Sequence, residues 1–367
     1  MKISYVDLKA QWQEEKKELL PIIDKVLSKA EHVGGSEIIK FESKISKLCK
    51  VKCTVALNSG TDALTLGLHL LGIKRGDEVI TPPNSFIASA ASIVHLGARP
   101  VFVDVKDDQL IDPTKIEDAI TNKTKAIMPV HLTGRMCDMK SIMNISKKYN
   151  IPVIEDAAQS IGSKFMKSPA GSIGHVGCFS AHPLKNLNAF GDSGYLTTND
   201  SKIASKAKIL SNHGMVKRNI VENFGYVSRM DNLQAGILNY HIKKLNRIIS
   251  IRRKNARLYN NMLNKDYVFI AKTDKNTFDT YHTFVIQVNN RGQLVKYLEK
   301  KGIKTSIHYP NPIHLQPAAE FLGYKKGSFP ETEQQSKRIL TLPINQFIKE
   351  EEIEYIAKNI NYFYERS

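Results

Sequence analysis

Three short segments carry residues whose types and spacing suit chemistry on a small phosphorylated ligand. The first is Asn58-Ser59-Gly60-Thr61, which follows a β-rich run and begins a helical pattern. Unpaired amides at a helix N-terminus attract phosphate, and a glycine there lets the backbone approach it closely. We therefore take Gly60 and Thr61 as candidate phosphate-binding residues. The alternative is that Ser59 or Thr61 only caps the helix.

The second segment is Ile154-Glu155-Asp156-Ala157-Ala158-Gln159, where an apolar strand ends in carboxylates. Ligands of open α/β sheets bind at the carboxyl ends of the strands. There Asp156 can pair with a protonated ring nitrogen, and Gln159 can donate a hydrogen bond to a phenolic oxygen. The alternative is a carboxylate that caps the following turn.

The third segment, Phe179-Ser180-Ala181-His182-Pro183-Leu184-Lys185-Asn186, places Lys185 29 residues after Asp156 (185 − 156). A lysine must lose its charge to act as a nucleophile, and burial near other cations favours that. In so basic a chain a single lysine is ordinarily a solvated surface charge. The motif around Lys185 is what makes it a candidate.

Short strands and longer helices alternate from about residue 50 and position these segments. The patterns predict strands over 53–57, 78–81, 100–103, 125–130 and 153–155. They predict helices after the first strand and over 86–96, 113–120 and 139–149. This alternation is typical of a mostly parallel sheet with crossover helices.

A long amphipathic helix is predicted over 233–262, and a smaller α+β region follows it. That region contains predicted strands over 281–288 and 305–307 and helices over 294–301 and 350–363. We therefore expect a large domain over 1–245 and a small C-terminal domain over 246–367.

Composition excludes several classes of protein. The chain has 367 residues, 42% of them hydrophobic, and 53 Lys+Arg against 36 Asp+Glu give a net charge of +17. With a mean hydropathy of −0.29 and no spanning segment or signal peptide, we expect a cytoplasmic protein without a membrane partner. Four cysteines without a matched pair do not predict a metal site.

The positive charge raises a non-enzyme alternative, a basic nucleic-acid-binding or regulatory protein. Such a protein needs clustered cations with interleaved aromatic residues. Here the basic residues are spread along helices, as in Arg252-Arg253-Lys254, and we expect them on solvated faces. No nucleic-acid partner is therefore expected.

Taken together in this order, the three segments resemble the DegT/DnrJ/EryC1/StrS family. The resemblance includes Gly191-Asp192-Ser193-Gly194, although many members have glycine where Ser193 stands, and it runs from about Gly34 to the C-terminal helix. Members are fold-type I sugar aminotransferases that depend on pyridoxal 5′-phosphate. The resemblance implies an α/β fold with a mostly parallel seven-stranded sheet in the large domain and a smaller α+β domain.

The resemblance also implies roles for the motif residues. Lys185 would bond covalently to pyridoxal phosphate, and Asp156 would keep the ring nitrogen protonated. The cofactor would pass through its pyridoxamine phosphate form. The other implied cofactor contacts are Phe86 on the ring face, Gln159 at the ring hydroxyl, and Gly60, Thr61 and Ser180 at the phosphate.

Family members are homodimers with shared active sites, and the partner supplies a phosphate contact from the segment matching Gly225–Asp231. Many relatives have asparagine where Val227 stands, so that contact is either lost here or made by Arg229, which we take as the candidate. The alternative for Arg229 is an ordinary ion pair at the start of a helix.

The sequence around Lys185 is closest to enzymes that aminate C3 of a dTDP-linked 3-keto-6-deoxyhexose with L-glutamate. The product would be a dTDP-3-amino-3,6-dideoxyhexose for a glycan or an antibiotic sugar. His182 is a candidate sugar contact, and Tyr309 and His314 are candidate contacts to the sugar or its diphosphate. The alternatives are that His182 only fixes the Lys185 loop and that His314 makes only structural hydrogen bonds. The enzyme alternative is amination at C4 of a UDP- or dTDP-4-keto-6-deoxyhexose.

Overall fold

Seven strands form the central sheet of the structure, a computed structural model that describes residues 2–366. They are β1 (Cys53–Leu57), β2 (Glu78–Thr81), β3 (Arg99–Phe102), β4 (Thr124–Ile127), β5 (Ile154–Asp156), β6 (Val176–Ser180) and β7 (Gly194–Thr198). Their spatial order is β3-β2-β4-β5-β6-β7-β1, with β4 joined to β5 through parallel bridges. Only β7 runs antiparallel to its neighbours, so the prediction of a mostly parallel seven-stranded sheet is confirmed.

Helices cover both faces of this sheet, as the crossovers between parallel strands require. They are α1 (Leu8–Ser28), α2 (Ser36–Cys49), α3 (Gly60–Leu70), α4 (Ile87–His95), α5 (Met139–Tyr149) and α6 (Ser201–Leu210). Two apolar clusters result, one around Phe41 and Ile80 and the other around Leu64 and Val79. No helix within residues 2–366 is long and apolar enough to cross a membrane.

The long helix α7 (Asn232–Met262) begins one residue before its predicted start and ends where predicted. Its first half packs into the core of the central sheet through Leu238 and Leu245, and its second half packs into another core through Tyr259. The division into domains at residues 245 and 246, within this helix, stays a prediction.

The C-terminal region has a three-stranded antiparallel sheet in the order β8-β9-β10. These strands are β8 (Val268–Phe269), β9 (Phe284–Val288) and β10 (Ile339–Leu342), and the helices beside them are α8 (Arg291–Lys300), α9 (Pro330–Arg338) and α10 (Glu350–Glu365). The strand predicted over 305–307 is instead a single bridge from Ser306 to Thr341.

Two sequence-based expectations are wrong at particular residues. The helix predicted over 113–120 is two 3₁₀ turns, Pro113–Lys115 and Glu117–Ala119. In each turn the hydrogen bond runs from an amide to the carbonyl three residues earlier, instead of four as in an α-helix. Arg252 was expected on a solvated face but is 7% exposed. It lies three residues after Ile249 and four before Ala256, so the helical period turns it toward the same buried side.

Candidate active site

A cavity of about 460 Å³ opens at the carboxyl ends of β1, β5 and β6. This is the edge of an α/β sheet where ligands bind. Nine of the residues that the sequence singled out line it: Gly60, Thr61, Phe86, Asp156, Gln159, Ser180, His182, Lys185 and Tyr309. The fold therefore brings the three chemical segments into one cavity.

The start of α3 forms one wall of this cavity. Ser59 caps the helix by accepting a hydrogen bond from the Asp62 amide at 3.1 Å, and the Ala63 amide donates to the Ser59 carbonyl. Within residues 2–366 this leaves the amides of Gly60 and Thr61 for a ligand. A Cβ on residue 60 would lie 2.7 Å from the Ser180 Cβ, so glycine is needed for this close approach. The wall fits a phosphate group.

Asp156 is buried at the end of β5 and faces the cavity. Its Oδ2 accepts a hydrogen bond from Ser89 Oγ at 2.7 Å, and its Oδ1 accepts one from the Ala158 amide at 3.2 Å. Burial raises the pKa of Asp156, while these hydrogen bonds and Lys185 oppose the rise. A buried carboxylate of this kind suits a cationic ligand atom such as a protonated ring nitrogen.

Lys185 projects into the same cavity from the loop after β6. Its Nζ makes no hydrogen bond or ion pair with any other residue in 2–366. Burial lowers the pKa of Lys185 to about 8, and the charge of Asp156 opposes that change. Near neutral pH the fraction of Lys185 in the neutral, nucleophilic form is therefore larger than that of a solvated lysine.

Gln159 and two aromatic rings form another part of the cavity lining. Gln159 Oε1 accepts a hydrogen bond from the Thr133 amide at 2.8 Å, and its Nε2 donates to Tyr309 Oη at 3.1 Å. The Tyr309 ring centroid lies 5.7 Å from that of Phe86, which is half exposed. Burial, with Asp156 nearby, raises the pKa of Tyr309 to about 12, so its hydroxyl stays protonated.

His182 and Ser180 lie at the entrance to the Lys185 loop. His182 is exposed, its Nδ1 accepts a hydrogen bond from the Leu184 amide at 3.3 Å, and its carbonyl accepts one from the Lys185 amide at 2.8 Å. Ser180 Oγ accepts from the His182 amide at 3.3 Å. These contacts shape the loop, and both side chains still line the cavity.

Two residues singled out by the sequence do not line this cavity. Arg229 donates to Asn212 Oδ1 at 3.0 Å and follows an exposed loop. His314 is 2% exposed, its Nε2 lies 3.0 Å from Glu333 Oε1, and its ring packs against Phe329. These internal contacts hold the His314 side chain in the protein interior.

Sequence reasoning missed several polar residues of the site. Ser89 and Arg252 line the cavity from α4 and α7, and neither belongs to a recognisable motif. Glu155, which the sequence marks only as a carboxylate at a strand end, is not among the described residues that line the cavity. It is fully buried and accepts hydrogen bonds from three backbone amides, while its Oε2 lies 2.9 Å from His131 Nε2.

Comparisons with known proteins are consistent with this chemistry. Residues 13–361 match the sequence profile of the DegT/DnrJ/EryC1/StrS aminotransferase family. The chain is 38% identical to the dTDP-3-amino-3,6-dideoxy-alpha-D-galactopyranose transaminase of Aneurinibacillus thermoaerophilus, over 98% of the chain and 99% of that protein. It is 39% identical to the UDP-N-acetyl-3-dehydro-alpha-D-glucosamine 3-aminotransferase of Acidithiobacillus ferrooxidans, over 97% of the chain and 96% of that protein.

Solved structures extend the similarity to the whole fold. The structure of S. venezuelae DesV in complex with a ketimine intermediate matches with a TM-score of 0.97 and 33% identity, covering 100% of this chain and 99% of that one. Other similar solved structures show aminotransferases in a pyridoxal phosphate form and in a pyridoxamine phosphate form.

Proposed function

The chain belongs to the DegT/DnrJ/EryC1/StrS aminotransferase family, and from that premise we propose that it transfers the amino group of L-glutamate to C3 of a dTDP-linked 3-keto-6-deoxyhexose. The product is a dTDP-3-amino-3,6-dideoxyhexose. The observation that carries the proposal is the unpaired Lys185 amine in a cavity with buried Asp156. The 38% identity to a transaminase named for such a sugar supports the substrate.

The protein is a pyridoxal phosphate-dependent sugar aminotransferase, and the residues present fit that cofactor. The free amides at the start of α3 suit the phosphate of the cofactor. Gly60 packs so closely against Ser180 that a side chain at residue 60 would not fit. When bound, the cofactor supplies an electron sink that lets an amino group pass between an amino acid and a keto group. Asp156 would hold the proton on the ring nitrogen, and Phe86 would lie against the ring.

The chain's own groups then bind the reactants and move protons. Lys185 Nζ would be the covalent attachment point of the cofactor until the amino group of the donor takes its place, and the released, neutral Nζ would then act as the general base. It would take the proton from the α-carbon of the amino donor and later return one to C3 of the sugar. The lowered pKa of Lys185 suits both tasks. His182 and Tyr309 line the cavity where the sugar would lie.

We also propose that the protein is a homodimer with shared active sites. Arg229 does not line the cavity of its own subunit, yet it follows a loop with a hairpin formed by Met215–Lys217 and Ile220–Val221. That loop exposes apolar side chains, among them Ile220, Val221 and the fully exposed Phe224. Such a surface suits burial against a second copy.

The experiment that tests the sugar assignment compares three acceptors with L-glutamate as donor. They are a dTDP-3-keto-6-deoxyhexose, a dTDP- or UDP-4-keto-6-deoxyhexose, and UDP-N-acetyl-3-dehydro-glucosamine, included because of the 39% identical relative. We expect the first to have the highest kcat/KM and its product to carry nitrogen at C3 by NMR. Preferred amination at C4, or preference for the UDP sugar, would reject the assignment. The Lys185→Ala variant is the inactive control.

A further inference from the structure

Arg252 is a buried cation on the cavity wall that the proposed chemistry does not use. Its position on α7 brings it to the cavity beside Tyr5, His282 and Asn345. Its residue exposure is only 7%. A charged side chain this buried is ordinarily paired with an opposite charge.

Among residues 2–366 the guanidinium has no such partner. Its Nη1 donates to the Tyr281 carbonyl at 3.3 Å and the His282 carbonyl at 3.0 Å, and its Nη2 donates to Gln346 Oε1 at a long 3.4 Å. All three acceptors are neutral. Nε is buried without a partner within residues 2–366. One Nη2 hydrogen also has no acceptor in this part of the chain.

No carboxylate of the cavity neutralises this charge. Asp156 and Asp192 both line the cavity, and neither forms an ion pair with Arg252 in the described chain. Burial lowers the pKa of Arg252 to about 10, so it remains a cation at neutral pH. Burial, together with the charge of Lys185, lowers the pKa of His308 to about 4, so this neighbour stays neutral. Among the residues that the structure describes, the guanidinium of Arg252 in this cavity therefore has no neutralising charge.

We propose that Arg252 binds a carboxylate of the amino donor through its Nη2 edge. This inference rests on the proposed aminotransferase function and names a residue that binds the amino donor. A planar guanidinium and a carboxylate form strong, directional, charge-assisted hydrogen bonds. The low exposure of Arg252 suits a small dicarboxylate better than a diphosphate that carries a bulky nucleoside.

Binding of two non-reacting ligands to the holoenzyme, measured by calorimetry, tests the assignment. Glutarate has the two carboxylates of glutamate without its amino group, and dTDP has the diphosphate of the sugar substrate. In Arg252→Gln we expect the Kd of glutarate to rise roughly 10- to 100-fold, because a charge-assisted hydrogen bond is lost. We expect the Kd of dTDP to stay within about twofold. The KM for glutamate should rise with the Kd of glutarate.

Arg253→Gln is the matched control. Arg253 is the next residue of the same helix, but it donates to the Asp279 carbonyl at 2.7 Å and stacks on Phe278, outside the cavity. Its loss should leave both ligands unaffected. Unchanged glutarate binding in Arg252→Gln would overturn the proposal. So would a selective loss of dTDP binding, which would assign Arg252 to the diphosphate.

Two further measurements test the proposal even if Arg252→Gln fails to fold. Arg252→Lys keeps the charge but loses the planar fork, so glutarate binding should weaken in the same direction by a smaller factor. A crystal structure of the wild-type enzyme with glutarate should place a carboxylate at Arg252 Nη2, and a carboxylate bound elsewhere would overturn the proposal. If the wild type binds glutarate at Arg252 yet aminates none of the keto-sugars, the sugar assignment fails and this inference stands.

Discussion

The Ser89 hydroxyl lies 2.7 Å from Asp156 Oδ2 and donates a hydrogen bond to it from a residue 67 positions earlier in the chain. Both residues are buried, Ser89 in the first turn of α4 and Asp156 at the end of β5. The bond favours the ionised carboxylate, whereas burial favours the protonated one. Ser89 is thus a positioning residue that holds the carboxyl group of Asp156 in place and opposes the rise of its pKa.

Ser89→Ala is expected to weaken the binding of pyridoxal phosphate about tenfold, the usual effect of losing a hydrogen bond to a charged group. The loss should grow as the pH falls, because the pKa of Asp156 rises further without its donor. Absorbance titration of the apoprotein measures the affinity. Ser92→Ala is the control, since Ser92 Oγ donates only to the Ser89 carbonyl in the same helix. Equal losses in the two variants would contradict the role of Ser89.

The lowered pKa of Lys185 makes attachment of the cofactor pH-dependent. Because only the neutral amine attacks the aldehyde, the rate of attachment to the apoprotein should rise up to about pH 8 and then level off. Borohydride reduction at timed intervals, followed by mass spectrometry, measures the bonded fraction. A midpoint near the ordinary lysine value of 10.5 would contradict the structure.

Two variants check that the titrating group is Lys185. Asp156 opposes the lowering of the pKa of Lys185, so Asp156→Asn should move the midpoint to lower pH. Lys185→Ala should show no covalent attachment at any pH. A midpoint that moves upward in Asp156→Asn would exclude the described interaction between the two side chains.

The central sheet was partly predictable from local pattern. The runs Cys53–Leu57 and Glu78–Thr81 were predicted with their observed bounds because each is a short β-rich run beside clear turn residues. β6 and β7 gave no such signal, since each contains a glycine that weakens the pattern. In the fold Gly177 is required, because a Cβ there would lie 2.4 Å from the Gly171 Cα. Such a close approach depends on tertiary packing and cannot be predicted from the local sequence.

The candidate site was likewise only partly predictable from the sequence. Gly60, Asp156 and Lys185 belong to motifs and were found from the sequence, whereas Ser89 and Arg252 are single residues on helices. A serine in a helix or an arginine in a basic run looks like any solvated side chain. Only the packing of α4 and α7 against the sheet determines that these two face the cavity.

Glu155→Gln is expected to lower the free energy of unfolding by about 3 kcal/mol, because the new amide leaves buried N–H donors without an acceptor. The carboxylate now accepts from Gly171, Ile173 and Gly174 at 2.6 to 2.8 Å. Urea unfolding followed by circular dichroism measures the change. Glu117→Gln, which alters an exposed pair with Lys148, is the control and should change little.

The destabilisation caused by Glu155→Gln should depend on pH in a predictable direction. Burial would raise the pKa of Glu155, but His131 and the backbone amides hold it below the ordinary value of 4.5. Its stabilising contribution is therefore complete above about pH 4.5 and is lost as the pH falls through the lowered value in the folded state. The difference between wild type and Glu155→Gln should shrink only in that acidic range. A difference that shrinks between about pH 5 and pH 7, above the ordinary value for a glutamate, would contradict the assignment.

Shared active sites predict that two inactive subunits can rescue each other. Arg229→Ala should lose phosphate affinity and Lys185→Ala should lose all activity. In a hybrid dimer of the two, one cavity combines the intact Lys185 of one subunit with the intact Arg229 of the other. Random reassociation makes about half of the dimers hybrid, each with one intact site of two, so about a quarter of the wild-type activity should return.

The control for this rescue mixes Lys185→Ala with Asp156→Asn. Both residues line the cavity of the same subunit, so no hybrid of these two variants contains an intact site. Activity that returns in this mixture would show that recovery does not depend on a residue shared between the subunits. Full activity of Arg229→Ala alone would instead show that Arg229 forms only its local contact with Asn212. Because the hybrid restores Lys185 and Arg229 only across the subunit boundary, recovery in the first mixture alone would place Arg229 in the partner's site.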